Sequence, residues 1–504
     1  MSGARHMAYV LCIALFLLLP VVVTADGPFR LIETPLYEVI KANRPTDTGV
    51  PQPDLDARFR KLLYKYDDLS DEPQEDEIVV DTAASSPWLI TKEQAREEVA
   101  FLFRVLKFGY AGYQYFGGDE TFIGARNAII ADIEGFPESK LDSRRYVGVI
   151  RRHLGFIQDG HFFLGGVRTC RDYEYYSNEE YSFVRDDAGF CMATGGKRRY
   201  LLNVDGQDPA AYLRLSIDAD GNAVYQPGVL SADGVGVALD LFFDDGTSES
   251  VQLEKVVSGL LSGPVYERKE IGGIPVIVSR SLERAPQNFP TFDAFVSDAE
   301  KLREERVIVL DLRSNVGGSS EFVDKWVYSL TGEHPSYAVL AAPLMTNTAA
   351  KLRLNSVRRF GDEAVEALKE MYEGWEQEAA EAGRTSFPGW GGIYSSENVT
   401  INNRPLVVVL TDSHVASAGE GFVRALAQLD NVVFIGLNTY GALLTGDVGV
   451  CQLPHSKLYL AVGTTLFQEK DFVNRDGLGY FPDFWVDPDH ALDRALKFIN
   501  KYFR

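Results

Sequence analysis

Apolar residues recur along this chain at two spacings, and each spacing predicts its own kind of element. From Thr91 the spacing is helical, with Val99, Leu102, Phe103 and Leu106 on one side and a capping-box pattern of Thr91 with Gln94 ahead of them. A second helix is predicted from Ser143 through Val147, Ile150, Leu154 and Ile157. It is expected to end at Asp159-Gly160-His161, where Gly160 suits a C-terminal cap. From Arg168 to Arg268 the pattern becomes short alternating segments separated by Asp-Gly pairs (Asp205-Gly206, Asp220-Gly221, Asp233-Gly234, Asp245-Gly246), the turn signals of a small β-rich domain. Continuous apolar runs follow at Ile274–Val278, Val307–Leu312, Leu406–Leu410 and Val432–Ile435. They alternate with helical stretches such as Ala418 to Leu429, as the buried strands of an α/β core do. Residues 346–390 interrupt that core with a polar, charged segment of helical period (Ala364 to Ala382), read as an inserted cap.

One apolar run stands apart. Arg5 precedes an almost wholly apolar stretch from Val10 to Val23, and Val23-Thr24-Ala25 supplies small residues for cleavage. This predicts a secretory signal peptide over residues 1–25. The stretch is short of the roughly 20 residues a helix needs to span a bilayer. The mature chain is therefore expected to be exported, periplasmic or extracellular, with no membrane span. Residues 26–90 then read as an extended acidic arm, because several prolines and the run Asp67 to Glu77 favour self-repulsion and exposure.

Charge narrows the partners. Fifty Lys and Arg against 72 Asp and Glu give a formal charge of −22. That balance argues against nucleic acid or an anionic membrane, which need clustered cations. Of the four cysteines, Cys12 lies in the apolar leader. In an oxidising compartment Cys170 and Cys191 are placed to bridge and leave Cys451 free, but spacing does not decide pairing. Cys and His are nowhere grouped as metal ligands, so no metal or other cofactor is expected.

Three segments carry chemistry. Arg306-Val-Ile-Val-Leu-Asp-Leu-Arg-Ser-Asn-Val-Gly-Gly-Ser319 is a buried strand running into a glycine turn, which can aim backbone N–H groups at an anionic oxygen. A Walker-type ending is absent. Pro405 to Leu426 is a strand, a small-residue turn and a helix that begins at Ser417. The unpaired N–H groups of a helix start would stabilise an alkoxide and an oxyanion there. Ser417 with Glu420 also reads as an ordinary capping box. The third segment, Ile157-Gln-Asp-Gly-His161-Phe-Phe, places a histidine after a helix.

The order of Asp-Gly-His, a β insertion, Leu-Asp-Leu-Arg-Ser-Asn-x-Gly-Gly-Ser, Ala-Ser-Ala-Gly-Glu, Gly-x-Asn-Thr-x-Gly (Gly436 to Gly441) and Gly-x-x-Pro-Asp (Gly479 to Asp483) resembles the C-terminal processing (tail-specific) and tricorn-core serine proteases over roughly residues 95–495. The resemblance implies an α/β fold with a crotonase-like (ClpP-like) core, an N-terminal helical segment (91–165), a β-rich domain at the PDZ position (166–268) and a protease core over 269–345 and 391–504, with the helical cap at 346–390. It implies Ser417 as nucleophile and an oxyanion hole from the Ala418 N–H with Gly317 or Gly318. The Ser-Lys branch of the family carries a lysine where this chain has Ala442. The tricorn-like branch instead uses a histidine, matched by His161, and an acid matched by Asp476. That branch has a serine beside its histidine, and here Gly160 stands there.

The expected function is an exported serine endopeptidase acting on peptide or protein substrates, with the segment from Leu352 to Trp390 as a lid over Ser417. The alternative is a catalytically inactive protein binding a peptide or apolar ligand on the same fold, which the alanine at 442 favours. A carbohydrate hydrolase is a third reading, but acids are so abundant that no pair is singled out. His414 and His455 are the next candidates for the base. Oligomeric state is not readable.

Overall fold

The computed structural model describes residues 30–31, 34, 36–42, 51–81, 87–194, 196–233, 237–337, 339–381 and 388–503. The signal peptide expected over 1–25 lies outside them. At the centre is a six-stranded sheet in the order Tyr266–Ile271, Ile274–Ser279, Val307–Asp311, Leu406–Thr411, Val432–Gly436, Phe484–Trp485. The first strand is antiparallel to its neighbour, and the other five run parallel. The apolar runs read from the sequence are these strands, continuous because helices cover both faces.

Register sorts their side chains into two layers. Val276, Val309, Val408 and Val433 lie in one row across the sheet and pack beneath the C-terminal helix Pro488–Tyr502. The next row, Ile277, Leu310, Val409 and Phe434, faces the helices Phe289–Lys301, Ser320–Thr331 and Ala418–Leu426. Parallel strands place their C-terminal ends on one edge, so the loops after Asp311, Thr411 and Gly436 emerge together. That edge is where open α/β sheets hold their ligands.

A second sheet runs Tyr394–Ser395, Val339–Pro343, Tyr459–Glu469, Phe163–Leu164, Val167–Arg168, with Thr445–Gln452 paired to Tyr459–Glu469. The helices Lys92–Gly109, Gly118–Gly135 and Ser143–Leu154 share a core with its Leu164, Leu460 and Val462. Thr91 and Gln94 form the expected reciprocal cap, at 3.1 and 2.9 Å. The helix from Ser143 ends at Leu154 with Gly155 as its cap, not at Gly160. Asp159-Gly160-His161 is therefore a separate turn, feeding the Phe163–Leu164 strand.

Residues 168–268 form two antiparallel sheets, turned at Asp205-Gly206 with φ of 49° and 73°. They are fastened to the core where Tyr175 stacks on Trp485 at 4.5 Å and Arg494 donates to the Ile217 carbonyl at 3.0 Å.

Two expectations are corrected and one open question is answered. Residues 51–81 are not an exposed arm: Gln52–Arg60 is a helix whose Leu55 and Phe59, with Leu63 and Tyr66, are buried against Leu340, Trp390 and Leu466. Inside the acidic run, Glu72 is buried and accepts the Thr348 N–H at 2.8 Å and hydroxyl at 3.0 Å. The start of the inserted segment is interior rather than a lid, since the helix Asn347–Val357 buries Ala349, Leu352, Arg353 and Asn355. Trp390, at its far end, is buried too. Cys170, Cys191 and Cys451 are all free and buried, so the Cys170–Cys191 bridge is not formed.

The packing of Phe59 generates a test. Phe59→Ala should destabilise the protein by about 3–5 kcal/mol in urea unfolding, the cost of a truncated buried aromatic. An exposed arm would leave the unfolding midpoint where it is.

Candidate active site

Ser417 sits between the Leu406–Thr411 strand and the Ala418–Leu426 helix, with φ 54° and ψ −121°. A helix N-cap ordinarily has β-region angles. A non-glycine residue held at positive φ costs on the order of 1–3 kcal/mol and persists only where its surroundings enforce it. Ser417 is therefore more than a cap, and its side chain is presented from a strained strand-to-helix turn.

The enforcing group is Glu420, which is fully buried. One carboxylate oxygen accepts the Thr439 hydroxyl at 2.6 Å and the Gly441 N–H at 2.8 Å. The other accepts the N–H groups of Ala442 at 2.8 Å and Ser417 at 3.1 Å. Burial raises the pKa of this carboxyl against those four donors. Glu420 thus ties the nucleophile turn to the loop after Val432–Gly436, and the Tyr440 N–H to Val415 carbonyl bond adds a second tie at 2.9 Å. The sequence showed Glu420 only as a capping residue. Its reach to residues 439–442 is a tertiary fact.

The glycine turn lies against the same serine. A Cβ on Gly317 would stand 2.9 Å from both the Ser417 Cβ and the Ala418 nitrogen, and the residue's φ is 94°. Asn315 holds the turn in place. Its Oδ1 accepts the Gly317 N–H at 3.0 Å, its carbonyl accepts the Ala416 N–H at 3.0 Å, and its Nδ2 donates to Ser279. Gly318 has φ 140° and pairs beside Leu282. Among the described residues, neither the Gly318 N–H nor the Ala418 N–H has a hydrogen-bond partner.

His161 reaches this neighbourhood through Gly160. A Cβ on Gly160 would be 2.2 Å from the Gly441 carbonyl oxygen and 2.7 Å from the Ala442 Cα. A side chain there would collide with that backbone. His161 is buried, and burial lowers its pKa against the opposing charges of Asp159 and Asp447. Its Nδ1 has no hydrogen-bond partner among the described residues, and no hydrogen bond joins the ring to Ser417 there.

Asp476, the acid that the resemblance implies, makes no hydrogen bond to the His161 ring among the described residues. Its Oδ2 accepts the Gly160 N–H at 2.7 Å, and its Oδ1 accepts those of Leu443 and Leu444, each at 2.9 Å. It fixes the backbone on which His161 stands. Burial, then the nearby Asp159, pushes its carboxyl well above the ordinary range.

The other histidines divide. His455 bonds Glu97 at 2.9 Å on the helical side of the molecule. His414 lies three residues before Ser417, and its pKa is raised by Asp412, whose Oδ2 is 3.7 Å from the ring Nδ1. That is too long for a hydrogen bond.

Residues 287–484 match the model of peptidase family S41. No curated relative matches the chain. Among solved structures it is similar to mature CPAF (13% identity, covering 81% of this chain and 95% of that one, TM-score 0.44). It is also similar to the photosystem II D1 C-terminal processing protease (16%, 78% and 94%, 0.35) and to the tricorn protease (12%, 80% and 36%, 0.34). At those values the structural likenesses carry no argument, and the match over residues 287–484 agrees with the resemblance read from the motifs.

Two substitutions test the geometry. Glu420→Gln sets an amide NH2 against backbone N–H groups and should cost roughly 1–3 kcal/mol in urea unfolding. Gly160→Ala should cost about 1–3 kcal/mol, because a Cβ overpacks the Gly441–Ala442 backbone. Wild-type midpoints in both would mean that this junction is looser than described.

Proposed function

We propose that this chain, an S41 peptidase by the match over residues 287–484, is an exported serine endopeptidase with Ser417 as nucleophile and His161 as general base. The observation that carries the reading is the strained Ser417 backbone, set beside two backbone N–H groups without partners. Ser417 Oγ attacks the peptide carbonyl while its proton passes to His161. The oxyanion is held by the N–H groups of Gly318 and Ala418; Gly317 shapes the turn, its own N–H being held by Asn315. His161 then gives the proton to the departing amine, leaving an acyl-Ser417. Water, deprotonated by His161, releases the acid and restores the serine.

Ala442 has no amine, so no lysine serves at that position. A depressed His161 pKa keeps the imidazole neutral near pH 7, the form that accepts a proton. Asp476 supports the base through the Gly160 N–H. The competing reading, an inactive peptide or apolar-ligand binder, draws on the missing Ser417–His161 hydrogen bond. Catalytic hydrogen bonds often form only once substrate is bound.

The test is labelling of the purified mature protein with a fluorophosphonate, followed by peptide hydrolysis. The wild type should be labelled at Ser417. Ser417→Ala should lose labelling and turnover while unfolding within about 2 kcal/mol of wild type. Hydrolysis should rise with pH through a midpoint below the ordinary histidine value of about 6.5, since the base works unprotonated. Unlabelled wild type would leave the binding protein as the better description.

A further inference from the structure

Asp412 is a fully buried carboxylate that takes no part in the proposed reaction, yet it joins three segments at the edge of the central sheet. Its Oδ1 accepts the N–H groups of Ser314 at 2.9 Å and His414 at 3.0 Å. Ser314 belongs to the loop that runs into Gly317 and Gly318, and His414 to the turn that carries Ser417. Its Oδ2 accepts two hydroxyls, those of Ser314 and Ser258, each at 3.2 Å. The Ser314 hydroxyl in turn accepts the Leu261 N–H at 2.9 Å. Ser258 and Leu261 thus close a ring of hydrogen bonds with Ser314 and Asp412.

Both come from a strap, residues 256–262, that leads from the β-rich domain towards the strand Tyr266–Ile271 and is neither helix nor strand. Its Val257 and Leu260 are exposed, so the strap gains little from apolar burial. Hydrogen bonds hold it instead. The Val256 N–H donates to the Tyr175 carbonyl at 2.9 Å on the β-rich side, and the Arg280 N–H to the Val265 carbonyl at 2.9 Å on the core side. Between them lies the ring through Asp412. Ser314 has φ 61°, a conformation that a serine keeps only where its surroundings enforce it. Asp412 and Leu261 are the groups that grip it. Asn315 follows directly, and its Oδ1 holds the Gly317 N–H in the turn that ends at Gly318.

We infer that Ser258 is a positioning residue for the oxyanion turn: it locks the strap to Asp412 and so fixes the strained Ser314 from which the turn starts. The inference rests on the peptidase reading, in which the Gly318 N–H receives the oxyanion. It makes turnover depend on a hydroxyl in the linker between the β-rich domain and the core.

An oxyanion donor acts only after the carbonyl has been attacked, so displacing it lowers kcat and leaves KM in place. Peptide hydrolysis by the full mature chain, at a temperature where every variant is folded, should compare Ser258→Val with Ser258→Thr, which differ in the hydroxyl at nearly equal volume. Ser258→Val should lower kcat roughly tenfold or more at unchanged KM. Its rate of fluorophosphonate labelling should fall in step. Ser258→Thr should restore both. Ser262→Val, the same change at an exposed serine of the strap, should behave as wild type. Wild-type kcat in Ser258→Val, or an equal loss in Ser258→Thr or Ser262→Val, would overturn the inference. Should Ser258→Val fail to fold, Ser258→Ala removes the hydroxyl without added bulk, and full turnover there rejects the proposal. An active wild type beside an undiminished Ser258→Val rejects this inference alone. An unlabelled and inactive wild type rejects the peptidase reading, and this inference with it.

Discussion

A single buried carboxylate, that of Glu420, accepts four hydrogen bonds from a turn and a loop that are neighbours only in the folded chain. Three of the donors are backbone N–H groups, which have no other geometry to adopt. Removing a carboxylate from water is costly unless its oxygens are filled, and here all four bonds are made. The strained backbone of Ser417 depends on this arrangement. So does the approach of Gly441 and Ala442 to Gly160, which brings the histidine turn to the same edge of the sheet.

Much of the scaffold was legible because its physics is local. Fully buried parallel strands must be apolar along their whole length, so Leu406–Thr411 and Val432–Gly436 announce themselves as runs. The Thr91–Gln94 cap is legible for the same reason, since both partners lie within one turn. The helix Gly118–Gly135 was not legible, because Phe122, Ile129 and Ile133 are its few buried apolar side chains and no clear stripe results. The acidic run misled for the opposite reason. Its composition reads as solvated, yet Glu72 is buried because it accepts the N–H of Thr348 in the first turn of a helix. Arg353 hid a second buried helix in the same way, by taking Thr464 as its partner inside the protein.

Ser417, Gly317, Gly318 and Ala418, which the order of short motifs singled out, lie together at one turn, with the His161 turn packed on the adjoining loop. The roles of the acids were not legible. The resemblance pointed to Asp476 as the acid, while Asp159 and Glu420 lie in the same motifs with no such role assigned. What separates them is the kind of donor each oxygen faces, hydroxyl or backbone N–H, and that is set by tertiary packing. Three buried acids hold the backbone of the turns that carry Ser417 and His161, and position 442 is alanine.

The hydrogen bond from the Gly160 N–H to Asp476 spans 316 positions of the chain. A nascent or clipped chain ending anywhere before Asp476 cannot complete the turn that carries His161, however well its central sheet has formed. The histidine turn is thus left without this bond until nearly the last strand is in place. That long-range bond makes the geometry around His161 a late product of chain completion.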